Sequence, residues 1–136
     1  MGHGDEIVLA DAHFPTSSVC QSGGAEELRA DGHKITELLV AILKLFPLDT
    51  YVSSPAAVMD LVDSDKQAGL KTPIWPEYQT ILDKENGTRV DVERVERFAF
   101  YERAEKAFAI VHTGETSKYA NIILKKGIVA QHSTYN

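Results

Sequence analysis

Four short apolar runs, spread along the chain, are the sequence feature that most restricts the fold. They occupy residues 7–10, 56–62, 108–111 and 122–124. Apolar runs of this length, bounded by turn residues, are typical of strands that are buried inside a protein. The chain is therefore predicted to contain a sheet of short, buried strands.

Two stretches between these runs have helical periodicity. Apolar residues at 35, 38, 39, 42, 43 and 46 fall on one face of a helix that Pro47 stops. A second helix is predicted from a Thr-Pro pair at 72–73 to about residue 85, and Asn86-Gly87 ends it because these residues tolerate a left-handed backbone. Five or six short strands that alternate with two good helices predict an α/β sandwich with a mixed sheet.

The remaining segments carry weaker signals. The polar segment 16–27 is predicted to be a loop because it contains a glycine pair. Residues 95–100 are predicted to be a strand, and residues 101–106 one or two helical turns. The polar tail 128–136 is expected to be loose. The 136 residues show no repeat and no linker, which indicates a single domain.

Composition narrows the possible partners and compartment. A formal net charge of −6 and a pI near 5.3 argue against a nucleic-acid partner and against an anionic membrane surface. The single cysteine, Cys20, can form no internal disulfide, which fits a reducing compartment. The chain has neither a secretory leader nor an apolar run of the roughly 20 residues that span a bilayer. The expectation is a cytoplasmic protein.

The first fifteen residues carry the densest chemistry. His3 and Asp5 precede the first apolar run, and Asp11 and His13 follow it. Phosphate-binding loops, a Gly-x-Ser-x-Gly elbow and Cys-x-x-Cys pairs are all missing from the sequence. Two interpretations of these four residues stay open: proton transfer on a small polar molecule, or a divalent metal held by imidazole and carboxylate in a small hydrolase.

Four separated motifs carry a resemblance to a known family. They are Met-Gly-His-Gly-Asp-Glu-Ile at 1–7, Ala-Asp-Ala-His-Phe-Pro at 10–15, Arg-Phe-Ala-Phe-Tyr-Glu-Arg at 97–103 and Tyr-Ala-Asn-Ile-Ile-Leu-Lys-Lys-Gly at 119–127. With these motifs in this order, the chain resembles the L-fucose mutarotases of the RbsD/FucU family, which also contains the ribose pyranases. Segments 48–51 and 54–59 look particularly like the animal branch.

The resemblance implies a fold, an activity and an assembly. The implied fold is a three-layer sandwich with a mixed, mostly parallel sheet of about six short strands, in one domain over residues 1–136. The implied activity is the interconversion of the α and β anomers of L-fucose without a metal or an organic cofactor. It also implies a homo-oligomer whose sugar sites lie near subunit contacts.

The resemblance also implies roles for eight residues. His3 corresponds to the proton donor, and Asp49 and Tyr101 look like further catalytic groups. An unpaired Asp49 carboxylate would be the better base, since a tyrosine hydroxyl keeps its proton at neutral pH and would donate a hydrogen bond or relay a proton. The positions that match sugar-binding residues are Asp11, Met59, Arg97, Tyr119 and Asn121.

Several plainer interpretations stand beside these roles. Relatives carry a helix before the first motif, so the chain is expected to lack that helix, and a truncated sugar-binding protein without activity is an alternative function. His13 is expected to support the structure. Arg97 could simply pair with Glu93 or Glu96. The acidic residues at 60, 63 and 65 are expected to form an exposed, inert turn.

Overall fold

A six-stranded mixed sheet forms the centre of the protein. The computed structural model describes residues 1–128 of the 136-residue chain. The spatial order of the strands is β2-β5-β1-β6-β3-β4, and β6 alone runs antiparallel to its neighbours. The strands are β1 (Glu6–Ala10), β2 (Glu26–Ala30), β3 (Ala56–Met59), β4 (Val92–Val95), β5 (Ala109–Thr113) and β6 (Ile122–Lys125). The predicted mixed, mostly parallel sheet is confirmed.

Helices cover both faces of this sheet and make the protein a three-layer sandwich, as predicted. Helices α1 and α5 pack together on one face, and α2 and α4 pack together on the other. A short helix, α3, follows β3. The helices are α1 (Thr16–Gly23), α2 (Ile35–Leu45), α3 (Asp63–Gln67), α4 (Ile74–Asn86) and α5 (Arg97–Glu105).

Alternate residues of the central strands supply two separate cores. In β1, Val8 and Ala10 join the core under α1 and α5, whereas Leu9 joins the core under α2 and α4. Successive side chains of a strand point to opposite faces, so a sheet covered on both sides requires apolar residues at every position. This requirement explains why the central strands appear in the sequence as uninterrupted apolar runs.

Both predicted helices are confirmed, and their ends lie close to the predicted positions. Helix α2 ends at Leu45, just before Pro47. Helix α4 ends at Asn86, and Gly87 takes the left-handed conformation with φ of 83°. A glycine adopts this conformation without the steric cost that a Cβ atom would add.

The prediction of a loop over residues 16–27 was wrong. This segment contains α1 and the beginning of β2, and its glycine pair ends the helix. Gly24 has φ of 83°, and a Cβ atom on Gly23 would lie 2.0 Å from the carbonyl oxygen of Glu105. The pair therefore permits the helix end and the close approach of α1 to α5, and the glycines are not signs of a loop.

The prediction of a strand over residues 95–100 was also wrong. Strand β4 ends at Val95, and α5 begins at Arg97. The Glu96 carboxylate caps this helix by accepting hydrogen bonds from the backbone N–H groups of Phe98 at 3.0 Å and Ala99 at 3.1 Å. The aromatic residues Phe98 and Phe100 lie in the first turns of α5.

Two further expectations concern the C-terminal tail and membrane-spanning helices. The predicted loose tail, residues 128–136, lies outside the described residues except for Ile128. Within residues 1–128, none of the helices has the length and apolar character needed to cross a membrane.

Candidate active site

A cleft of about 510 Å³ lies at the carboxyl end of the parallel strands. Such an edge is where open α/β sheets bind ligands, because chain segments that leave neighbouring strands converge there. The volume is in the range of small-molecule sites. Six residues with predicted roles line the cleft: Asp11, Met59, Arg97, Tyr101, Tyr119 and Asn121.

Sheet topology explains why residues so far apart in sequence meet in this cleft. Asp11 directly follows β1, Met59 ends β3, and Arg97 begins α5 just after β4. Asn121 precedes β6, which runs in the opposite direction, so the start of β6 lies at the same edge as the ends of the other strands. The antiparallel strand thus brings Tyr119 and Asn121 beside Asp11.

Asp11 and Asn121 form the polar floor of the cleft. Both are buried, and the backbone N–H of Asp11 donates a hydrogen bond of 2.7 Å to Oδ1 of Asn121. This bond orients the Asn121 amide and leaves its NH₂ group to donate to a ligand. Burial raises the pKa of the Asp11 carboxyl, although backbone N–H groups of His13 and Phe14 partly offset the effect.

The segment that carries Tyr119 and Asn121 is anchored to α4. The Trp75 indole N–H donates to the carbonyl oxygen of Tyr119 at 2.8 Å, and the Tyr78 hydroxyl donates to that of Ala120 at 2.7 Å. Tyr119 has φ of 55°, a left-handed conformation that is costly for a residue with a bulky side chain. The two side chains of α4 therefore hold a strained backbone in place beside the cleft.

One wall of the cleft is apolar. Met59 is buried, and Tyr101 is half-buried with its ring 5.5 Å from that of Phe14, centroid to centroid. Phe14 in turn packs edge-on against Phe100 at 6.3 Å. The Phe14 ring thus supports the Tyr101 ring, and Met59, Phe14 and Tyr101 give the cleft an apolar surface in addition to its polar floor.

Arg97 is available to a ligand. Among the described residues, Glu93 pairs with Arg103 at 3.0 Å and Glu96 caps α5, so neither holds the Arg97 guanidinium in an ion pair. The guanidinium lies 4.8 Å from the centre of the Phe98 ring, at the exposed rim of the cleft. The plainer interpretation of Arg97 as a partner of Glu93 or Glu96 is therefore wrong.

His3 and Asp49 lie at the other edge of the sheet. His3 precedes β1 and Asp49 precedes β3, so both are at the amino end of the parallel strands, roughly 15 Å from the cleft for a five-residue strand. The Nε2 atom of His3 is 3.3 Å from Oδ1 of Asp49. The His3 ring packs edge-on against the exposed ring of Tyr51. Within a single chain, this pair does not reach the cleft.

Asp49 is paired, and the expectation of a free carboxylate base was wrong. Its side chain is buried, whereas the His3 side chain is 42% exposed. The backbone N–H of Tyr51, 2.9 Å from Oδ1, lowers the pKa of the Asp49 carboxyl, and His3 lowers it further. The pair is thus a buried carboxylate that orients an accessible imidazole.

The separation of the two edges also bears on the proposed metal site. His3 and Asp5 lie at one end of β1, and Asp11 and His13 lie at the other, so the four residues cannot share one ion within a chain. Residues 1–128 include no group of three or more histidine, cysteine, aspartate or glutamate side chains arranged to hold a metal. The metal-dependent hydrolase is not favoured.

Comparison with known proteins places the chain in a family. The profile described as the RbsD / FucU transport protein family matches residues 1–129. The chain belongs to this family. It is 62% identical over 130 residues to the fucose mutarotase of Homo sapiens, covering 96% of this chain and 83% of that protein. It is 65% identical over 129 residues to the fucose mutarotase of Danio rerio, covering 95% and 82%.

A solved structure of a relative extends the comparison. The fucose mutarotase from Streptococcus pneumoniae, crystallised in complex with L-fucose, superposes on this RbsD/FucU family member with a TM-score of 0.84. The two are 47% identical, and the match covers 96% of this chain and 87% of that one. The chain thus shares its fold with a protein that was crystallised with L-fucose bound.

One residue of this RbsD/FucU chain was misjudged from sequence. Asp65, expected to belong to an inert acidic turn, lines the cleft, and its carboxylate accepts a hydrogen bond from the Tyr119 hydroxyl. His13, expected to support the structure, lies at the same cleft, and its backbone N–H donates to the Asp11 carboxylate at 3.0 Å. No sequence pattern marks Asp65, because its partner is 54 residues away.

Proposed function

We propose that this protein is a cofactor-free L-fucose mutarotase, an isomerase that interconverts the α and β anomers of the sugar. The observation that carries the proposal is the meeting of six predicted site residues in one cleft. The identity of 62–65% to animal fucose mutarotases over most of the chain supports the choice of substrate and of reaction.

The cleft offers both kinds of contact that a deoxy sugar requires. The Asp11 carboxylate accepts hydrogen bonds from sugar hydroxyls, and the Asn121 NH₂ group and the Arg97 guanidinium donate to sugar oxygens. Met59 and Tyr101 form the apolar wall against which the C–H face and the methyl group of L-fucose would pack.

Mutarotation needs only proton transfers. The anomeric hydroxyl loses its proton as the bond from C1 to the ring oxygen breaks, and the ring oxygen gains a proton, which produces the open-chain aldehyde. Rotation at C1 and the reverse transfers close the ring on the other face. We assign the donation of a proton to the ring oxygen to His3, oriented by Asp49 at 3.3 Å. The half-buried Tyr101 hydroxyl orients the anomeric oxygen and relays its proton to solvent water, which accepts it.

These groups can act together only if the protein assembles. Because His3 and Asp49 lie roughly 15 Å from the cleft of their own chain, we infer that they complete the cleft of a neighbouring copy in a homo-oligomer. The exposed His3 ring and the Tyr51 ring, which is 74% exposed, lie on the surface that this contact would cover. A protruding apolar ring beside a polar pair is suited to such a contact.

The proposal includes a cytoplasmic location. Cys20 is a free, buried thiol, which suits a reducing compartment. The net charge of −6 agrees with a small polar substrate and gives no reason to expect a nucleic-acid partner.

Exchange NMR tests the function directly. Magnetisation transfer between the two anomeric protons of L-fucose should be faster in the presence of this protein than in buffer, and it should stay so after treatment with a chelator. Contact with the sugar without faster exchange would instead identify a binding protein that lacks activity. Loss of the acceleration on chelation, with recovery on adding zinc or manganese, would overturn the cofactor-free mechanism.

Asp11 predicts how sugar binding depends on pH. The ionised carboxylate accepts hydrogen bonds from sugar hydroxyls more strongly than the neutral acid does, so L-fucose affinity should fall as the pH drops through the raised pKa of Asp11. This fall in affinity at low pH, the acidic limb of the binding profile, should occur at a higher pH than for an ordinary aspartate. Asp11→Asn should weaken binding at neutral pH by roughly tenfold and remove the limb.

NMR titration of L-fucose at several pH values measures this effect. Asp31→Asn is the matched control, because Asp31 is exposed and pairs only with Arg29 at the surface, 3.2 Å away. Its profile should match that of the unmodified protein. An acidic limb that persists in Asp11→Asn would assign the titration to another group.

A further inference from the structure

The Tyr119 hydroxyl has most of its hydrogen-bonding capacity already used. A phenol has one proton to donate and two lone pairs to accept with. The hydroxyl of Tyr119 donates to the Asp65 carboxylate, and it accepts from the backbone N–H of Val62 at 3.2 Å. All three residues line the cleft. One lone pair is left for a ligand, and no proton is left.

Asp65 is itself held in a defined position. It lies on α3, whose Lys66 ammonium donates to the Asp60 carboxylate at 2.9 Å, at the end of β3. The backbone N–H of Asp65 donates to the carbonyl oxygen of Val62 at 3.0 Å. These two contacts connect the short helix to the end of β3 on the side of the cleft, and they fix the position of Asp65.

Tyr119 is fixed from its other end by α4. Its carbonyl oxygen accepts from the Trp75 indole, and its φ of 55° sets the direction of the side chain. The ring therefore spans the distance from the start of β6 to α3, with its hydroxyl between Asp65 and Val62. Burial raises the pKa of this hydroxyl, and the Asp65 carboxylate raises it further, so the proton stays on the oxygen at neutral pH.

We infer that Asp65 is a positioning residue that makes the Tyr119 hydroxyl an obligatory hydrogen-bond acceptor toward the ligand. This point of the cleft then selects a ligand hydroxyl that donates, and it discriminates against a fluorine or an ether oxygen at the same place. The inference rests on the proposed function and extends it to substrate selection. Asp65 acts through Tyr119 and takes no part in the proton transfers at C1.

The first arm of the test measures sugar selectivity. The affinities of L-fucose and of its 2-, 3- and 4-deoxyfluoro analogues are compared for the unmodified protein and for Asp65→Ala. At one ring position the unmodified protein should prefer hydroxyl to fluorine by on the order of tenfold. Asp65→Ala should bring that preference close to unity, because the Tyr119 hydroxyl can then donate. Asp65→Asn, which keeps an acceptor oxygen, should restore part of it.

Two comparisons separate positioning from a general structural effect. Asp63→Ala alters the same helix at an exposed carboxylate, and it should leave the preference unchanged. In a Tyr119→Phe background, Asp65→Ala should have no further effect on the preference, since the group through which it acts is missing. A preference that survives Asp65→Ala, or a further change in preference when Asp65→Ala is added to Tyr119→Phe, would overturn the inference.

The second arm needs no sugar. With tyrosines labelled at Cζ with ¹³C, and the Tyr119 signal assigned by its loss in Tyr119→Phe, the pKa of Tyr119 should fall in Asp65→Ala and stay unchanged in Asp63→Ala. An unchanged pKa in Asp65→Ala would contradict the contact even in an active enzyme. If the pKa of Tyr119 falls in Asp65→Ala but the unmodified protein neither binds L-fucose nor accelerates its anomer exchange, the contact between Asp65 and Tyr119 is supported and the proposed function is wrong.

Discussion

Replacing His3 by alanine is expected to reduce the protein-dependent acceleration of L-fucose anomer exchange by roughly 100-fold or more, in the range that positioned proton transfer contributes. His3 is the accessible member of a pair whose other member, Asp49, is buried and ionised. Without the imidazole, the pair keeps only the Asp49 carboxylate, which is ionised and has no proton to give to the ring oxygen. Exchange NMR at saturating sugar measures the loss.

His33→Ala is the matched control for this experiment. His33 is also an exposed histidine beside a carboxylate, with Nδ1 3.5 Å from Oε1 of Glu37, but it lies at the start of α2 and lines no part of the cleft. Its exchange rate should equal that of the unmodified protein. Unchanged exchange in His3→Ala, in a variant that still assembles, would overturn the assigned role.

Mixing two variants with defects in different halves of the site is expected to restore activity, measured at a sugar concentration too low for either variant alone to accelerate the exchange. His3→Ala keeps an intact cleft, and Asp11→Ala keeps an intact His3–Asp49 pair, and the two defects lie at opposite ends of β1. If each site takes its cleft from one chain and its histidine from the next, random co-assembly gives about a quarter of the sites both intact parts. Exchange NMR on the co-expressed variants should therefore show about a quarter of the unmodified activity.

The control for complementation is a mixture in which both defects lie in the same half of the site. His3→Ala co-expressed with Asp49→Ala should stay inactive, because no chain of that mixture supplies an intact pair. Light scattering on every mixture verifies that the chains assemble. Recovery in the control, or no recovery with Asp11→Ala in assembled protein, would contradict a site shared between copies.

The elements that the sequence predicted well are those whose hydrophobic pattern is strong over several residues. Strand β1, strand β6 and helices α2 and α4 bury a complete face or both faces, so their apolar residues recur with a clear period. Helix α1 has only eight residues, and its apolar residues are the adjacent Val19 and Cys20, so its sequence shows no apolar period that could outweigh a glycine pair. Helix α5 was obscured by its aromatic residues, which favour strands in general.

For the site, resemblance supplied the residues and the fold supplied their arrangement. The resemblance assigned roles to six residues that the structure places in one cleft: Asp11, Met59, Arg97, Tyr101, Tyr119 and Asn121. It gave no indication that Asp49 would pair with His3 at the far edge of the sheet. The run between His3 and Asp11 already separates those two residues in the sequence, but the position of Asp49 depends on strand direction and topology, which the pattern of apolar runs does not contain.

The sequence by itself determined an α/β chain with buried strands, two helices, a family and a set of chemically suitable residues, because these depend on local periodicity and on motifs. Only the tertiary structure decided which of these residues meet. The reversed direction of β6 brings Asn121 to Asp11 and Tyr119 to Asp65, and β1 separates His3 from both pairs. Such long-range contacts follow from strand order and register, which no short stretch of sequence specifies.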